Sequence, residues 1–303
     1  MKRSVVSLIA FAIAWLAEPA LAAMKVFACE PEWATLAEEL GGAQVEAYTA
    51  TTALQDPHRI QARPSLIAKV RSADLLICSG AELEVGWLPI LLRQSGNPQI
   101  QPHTPGYLEA ALLVPRLEVP TLLDRAAGDV HPQGNPHIQT DPRNIACVAV
   151  ALAERLAQLD PDHAAEYQGR HQDFSARWQA AIARWEKEAA PLRGIKVVAH
   201  HKYWAYLFQW LGLGEVAALE PKPGIEPSVS HLEQVLTTLQ KDPAKLIIRT
   251  AYNDARPSEY LAEKAKIPAV MLPGTVGGTE QARDLFSLFD DTIHRLLAAA
   301  GSS

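Results

Sequence analysis

Cysteine is scarce in this chain: Cys29, Cys78 and Cys147 are its only thiols in 303 residues. The count is odd and includes neither a CxxC pair nor a zinc-finger spacing, which excludes a thiolate zinc module and a disulfide-dense scaffold. No HExxH sequence is present, so the helical metalloprotease motif is missing. Basic residues (28) are outnumbered by acidic ones (34) and form no stripe, which excludes nucleic acid as a partner. A long apolar run is lacking too. Val5 to Leu16 is apolar, but too short and too early to span a bilayer comfortably.

That run has the grammar of an export signal. Lys2 and Arg3 precede it and Ala20-Leu21-Ala22 follows as a small-x-small cleavage site. Residues 1–22 are therefore expected to be a cleavable signal peptide, with the mature protein starting at Ala23, soluble and periplasmic. A lipid anchor would need a cysteine directly after the apolar run, and the first comes only at Cys29. The formal net charge of −6 fits an exported protein and mildly favours a cationic ligand. Cys29 and Cys78 each end a strand-like run. Adjacent parallel strands seldom give good disulfide geometry, so buried free thiols are expected, although an oxidising compartment permits a bridge.

Short apolar runs alternate with amphipathic stretches, the pattern of an α/β protein with parallel sheets. Strands are expected at Lys25–Cys29, Val45–Thr49 and Asp74–Cys78. Helices are expected near Pro31–Leu40 and Pro64–Ser72, and at Glu82–Arg93 with an interruption at Pro89. A proline- and glycine-rich loop from Ser95 to Pro142 is long enough to suggest a functional role, and a helix from Arg143 to Leu159 follows it. The longest helical pattern is Asp162 to Ala190. Its Tyr167, His171, Phe174, Trp178, Ile182 and Trp185 recur at three- and four-residue spacing, the mark of a packing stripe. The second half repeats the alternation, with strands at Ile195–His200, Val216–Glu220, Lys245–Arg249 and Ala269–Leu272. Its helices are Tyr203–Leu211, Val229–Lys241, Pro257–Lys266 and Thr279–Ala300.

Three separated stretches present histidines from turns or strand ends: Asp56-Pro57-His58, Asn135-Pro136-His137 and Val198-Ala199-His200-His201. Imidazole is the commonest protein ligand for zinc, and three such nitrogens leave one tetrahedral position open. Ligands of open parallel sheets sit beyond the carboxyl ends of the strands, where His58 and His201 fall. Strand alternation lets one member of the doublet face a crevice, and His201, just before the helix, is the better placed. His131 is an accessory candidate. The remaining histidines read as packed or solvated.

With these motifs in place, the chain resembles the zinc- and manganese-type solute-binding proteins of metal ABC transporters (cluster A-I). The resemblance rests on Asp56-Pro57-His58 with Pro64-Ser65 downstream, Gly80-x-Glu82-x-Glu84 leading to Trp87-Leu88, and Asn135-Pro136-His137-x-x-x-Asp141-Pro142. His201-x-x-x-x-Tyr206-Leu207, Leu272-Pro273 and Val276-Gly277-Gly278 complete the set. It implies two α/β lobes (residues 23–160 and 194–303), each a parallel sheet flanked by helices. One long backbone helix (161–193) would join them, with the metal in the cleft between. It also implies His58 and His137 as ligands from the first lobe and His201 as the third.

Many relatives place an aspartate after the last strand, where this chain has Leu272-Pro273-Gly274-Thr275-Val276-Gly277-Gly278 without a carboxylate. Water, Asp254 or Glu32 are the candidates for the fourth position. Three histidines without a clear carboxylate favour Zn2+ over Mn2+ or iron. The expected function is capture of a divalent transition metal and its delivery to a membrane permease, by a monomer that could also receive metal from a periplasmic donor. A three-histidine zinc hydrolase is the rival, but no carboxylate stands at a convincing spacing to act as base. Catalysis is not expected.

Overall fold

A computed structural model describes residues 23–121, 128 and 131–301; the expected signal peptide lies outside the described residues. The described chain forms two four-stranded parallel sheets. The first has β1 (Met24–Ala28), β2 (Val45–Thr49), β3 (Leu75–Cys78) and β4 (Tyr107–Glu109) in the order β2-β1-β3-β4. The second has β5 (Lys196–Ala199), β6 (Gly214–Ala218), β7 (Leu246–Arg249) and β8 (Ala269–Met271) in the matching order β6-β5-β7-β8. In each sheet the order reverses beside the first strand, which opens a crevice at the carboxyl ends.

Helices α1 (Pro31–Gly41), α2 (Pro64–Arg71), α3 (Leu88–Ser95) and α4 (Pro142–Leu159) flank the first sheet. The helices of the second half are α6 (Ala205–Leu211), α7 (Val229–Lys241), α8 (Ala255–Ala265) and α9 (Leu285–Gly301). Between the halves runs α5 (Ala164–Glu188), which packs on α1, α4 and α9. The apolar stripe buries Tyr167, Phe174, Trp178, Ile182 and Trp185. Trp178 meets Phe174, Trp185, Phe286 and Phe289 with ring centroids 4.8–5.7 Å apart. One buried cluster continues from Val26 and Leu36 through Trp178 to Val197, Leu246 and Phe289. The two sheets therefore share an apolar core.

Several local expectations are corrected. The helix expected over Glu82–Arg93 begins only at Leu88, because Ala81 and Glu82 take positive φ (48° and 68°) and turns fill the interval. Pro89 sits in its first turn and does not interrupt it. The strand expected at Val216–Glu220 starts earlier, at Gly214, since the ladder pairs Lys196 with Gly214 and Ala199 with Ala218. The last helix starts at Leu285, not Thr279. Strand β4 lies in the stretch read as loop; three residues are too few to show a period, and it forms an edge beside β3.

The expectation of free thiols also fails: Cys29 and Cys78 form a disulfide. The register that pairs Ala28 with Ile77 places these residues opposite each other one step on, with Cα atoms 4.8 Å apart. That separation falls within the disulfide range. Cys147 is free and exposed.

Trp178→Ala empties the packing between α5 and α9. It should cost about 3–5 kcal/mol, read as a lower denaturation midpoint; a loss under about 1 kcal/mol would mean that the stripe does not hold the halves together.

Candidate metal centre

His58 projects from the loop after β2. Its backbone N–H and its ring Nδ1 both meet Asp56 Oδ1, at 3.0 and 2.7 Å. The Trp87 indole pins this turn by donating to the Pro57 carbonyl at 2.8 Å. His137 lies between β4 and α4, where Asn135 Oδ1 accepts its N–H at 3.0 Å. Asn135 also reaches the second half, donating to the Lys202 carbonyl at 2.7 Å, while its own carbonyl accepts from Tyr206 at 2.7 Å. The Asn-Pro-His motif is thus a clasp between halves. Asp141 caps α4 by accepting the Arg143 N–H at 2.8 Å. His201 follows β5, and its Nδ1 lies 2.6 Å from Glu220 Oε2, beyond the end of β6.

The topology brings His58, His137 and His201 together. One ring nitrogen from each lies within 4.8 Å of the other two. Their ring centroids are 5.3–5.5 Å apart with edge-to-face orientations. Carboxylates accept only, so Asp56 and Glu220 hold the proton on each Nδ1 and leave each Nε2 as a lone pair. His137 has neither ring nitrogen hydrogen-bonded among the described residues. It is stacked on Tyr203 instead, with centroids 4.1 Å apart. Burial, and then the neighbouring His58, His201 and His131, push its pKa well below the ordinary imidazole value. A neutral donor results. Asp56 is held below the usual carboxylate range: burial opposes this, but the hydrogen bond and charge of His58 prevail.

A fourth imidazole joins the group. His131 Nε2 is 3.2 Å from His58 Nε2, and His131 shares with His137, His201, Asn135 and Lys202 a cavity of about 250 Å³. His200, in contrast, is buried with its N–H bonded to the Ile248 carbonyl, and lies outside the triad.

The two carboxylates named for the fourth position are not brought to it. Asp254 caps α8, accepting the Arg256 N–H and pairing with its guanidinium. Those bonds hold it at a pKa of about 2. Glu32 is buried elsewhere and accepts from Thr275. Sequence reasoning missed Glu220 and Tyr203. Nothing local could reveal Glu220, whose partner is 19 residues away.

Glu32 belongs to a second cluster. Glu30, Glu32 and Glu84 are all buried. Burial pushes Glu32 and Glu84 up to about 7, while burial and then the neighbouring Glu84 raise Glu30 well above its ordinary value.

A family model described as zinc-uptake complex component A, periplasmic, matches residues 26–299. A high-affinity zinc uptake system protein ZnuA from Yersinia pestis is 26% identical over 201 residues, covering 60% of this chain and 61% of that protein. The chain thus spans less than two thirds of that relative's length. A crystal structure of ZnuA superposes with a TM-score of 0.77 at 23% identity, over 92% of this chain and 99% of that one. The Mn-bound periplasmic metal binding protein from Candidatus Liberibacter asiaticus gives 0.72 at 15% identity, over 91% and 99%. The two structures share the fold.

A carboxyl with a raised folded pKa binds more protons folded than unfolded. Its stabilising contribution is complete below about pH 4.5 and is lost as pH rises through about 7. Glu32→Gln mimics the protonated form. In chelator, its melting temperature relative to wild type should therefore rise between pH 5 and pH 8; a pH-independent difference would contradict a raised Glu32.

Proposed function

The chain belongs to the zinc-uptake complex component A family, and from that premise we propose that it captures a divalent transition metal in the periplasm for an ABC permease, with Zn2+ as its cargo. The observation that carries this reading is the convergence of three imidazoles from both halves. Two of them are backed by carboxylates that do not themselves face the centre. Asp56 and Glu220 together offset the charge of a dication while leaving the donor set all nitrogen. Such a set suits Zn2+ better than Mn2+, which takes carboxylate and water oxygens.

His131 supplies the fourth donor. Two nitrogens held about 2.0–2.1 Å from a tetrahedral zinc are about 3.3 Å apart, close to the 3.2 Å between His58 and His131 Nε2. The wider spacing within the triad closes as the rings are drawn onto the ion. Catalysis has no support here: Asp56 and Glu220 are committed to imidazoles, and four donors leave no open coordination position for a water nucleophile. The shared core across α5 favours small adjustments at the cleft over wide hinge closure. Delivery to a permease follows from the family reading, and export by the signal read at residues 1–22 belongs to the same proposal.

Zinc at a thousandfold excess over its Kd should stabilise the protein by about 4 kcal/mol, seen as a raised melting temperature that His201→Ala abolishes. Manganese should compete only weakly for the same site. No zinc-dependent shift, or one that survives in His201→Ala, would defeat the proposal.

Asp56→Asn and Glu220→Gln should each weaken zinc about 10- to 100-fold. His131→Ala should weaken zinc while leaving a three-nitrogen site. Wild-type zinc affinity in all three variants, measured by chelator competition, would show that neither the carboxylates nor His131 tune the centre.

A further inference from the structure

Behind the His137–Tyr203 stack lies a second small cavity between the halves, of about 20 Å³. Its lining includes the polar side chains of Glu30, Glu32, Thr51, Gln139, Tyr203 and Thr275 among apolar groups. Glu30 follows β1 and Glu32 lies in the first turn of α1, while Thr275 follows β8. Gln139 has turned its amide NH2 to the Tyr203 hydroxyl at 2.7 Å. Among the described residues, Glu30 Oε1, Glu32 Oε1 and Gln139 Oε1 are buried without a hydrogen-bond donor. None of the ion pairs described involves Glu30, Glu32 or Glu84. The Thr51 hydroxyl donates away, to the Cys29 carbonyl, and the Tyr203 hydroxyl donates to the Gly274 carbonyl at 2.8 Å.

Buried acceptors need donors or a cation, and buried carboxylates are paired or bind metals. A volume of about 20 Å³ admits about one water-sized occupant. We propose that this cavity is a second cation site, distinct from the imidazole centre, which takes one hard divalent cation on Glu30, Glu32 and Gln139 oxygens. Oxygen donors with two carboxylates select hard ions such as Ca2+ or Mn2+ over the nitrogen-preferring cargo. The occupant would also brace the Glu32–Thr275 contact that joins the two halves.

Mn2+ is the probe, read by electron paramagnetic resonance. Metal-free full-length mature protein is equilibrated with Mn2+, then given one equivalent of Zn2+ to fill the imidazole centre, and free metal is removed. Wild type should retain one equivalent of Mn2+, with excess Ca2+ displacing it, and Glu32→Gln should retain less than a tenth. Zinc capacity of Glu32→Gln should stay at one equivalent, which shows that the variant is folded. In a parallel arm, His201→Ala without zinc should still hold one equivalent of Mn2+, and adding Glu32→Gln should remove it. That arm keeps the test independent of zinc capture. Loss of all Mn2+ in both arms, or equal retention with and without Glu32, would overturn the second site and leave protons and water as the occupants.

Discussion

The packing of α5 against both halves is the constraint on which the rest depends. A buried aromatic stripe from Phe174 to Trp185 joins the first-half core to Phe286 and Phe289 of α9. The Trp178 indole also donates to the Pro142 carbonyl at 2.8 Å, fixing the start of α4 five residues after His137. Apolar packing sets distance but no chemistry. The chemistry comes from the loops that this packing holds face to face. Those loops leave the carboxyl ends of two sheets of the same order, so His58, His201, Glu30 and Thr275 reach a common seam.

Electrostatics then separates the three triad imidazoles into two kinds. His58 and His201 are oriented by carboxylates 2.7 and 2.6 Å from Nδ1. His137 is oriented by its backbone and by the Tyr203 ring. In the proposed reading, a dication meets two imidazoles oriented by carboxylates and one held neutral by burial. Two carboxylates set behind the ligands moderate the ion's charge without making the donor set harder. That arrangement reconciles an acidic environment with nitrogen selectivity.

Much of this was legible in the sequence because turn residues announce themselves. Proline beside His58 and His137 fixes the local backbone, and the β5 run ends at the histidine doublet. Both positions could be argued from short segments. Glu220 could not, because its meeting with His201 depends on the register of β6 against β5, including an irregularity between Val197 and Val198. The disulfide was missed for a related reason. A rule about adjacent parallel strands says little about residues one step beyond a ladder. The start of α3 was misread because Ala81 and Glu82 adopt left-handed backbone conformations that favour glycine. Asp254 looked available because the helix after it was expected to start at Pro257, whereas α8 starts at Ala255 and Asp254 caps it and pairs with Arg256.

Tyr203 gives the seam its remaining logic. One face of its ring covers His137, while its hydroxyl joins Gln139 to the Gly274 carbonyl. On one side lie imidazole nitrogens, and on the other buried oxygens without donors among the described residues. A polar side chain at that position without an aromatic face would let the two donor sets approach each other. A mixed nitrogen and carboxylate site would then discriminate poorly between borderline and hard ions. In the proposed reading the aromatic wall keeps their preferences apart, while its hydroxyl satisfies backbone and amide groups that burial would otherwise strand. Selectivity in the proposed centre thus depends on how Tyr203 partitions the cleft, as well as on which atoms line it.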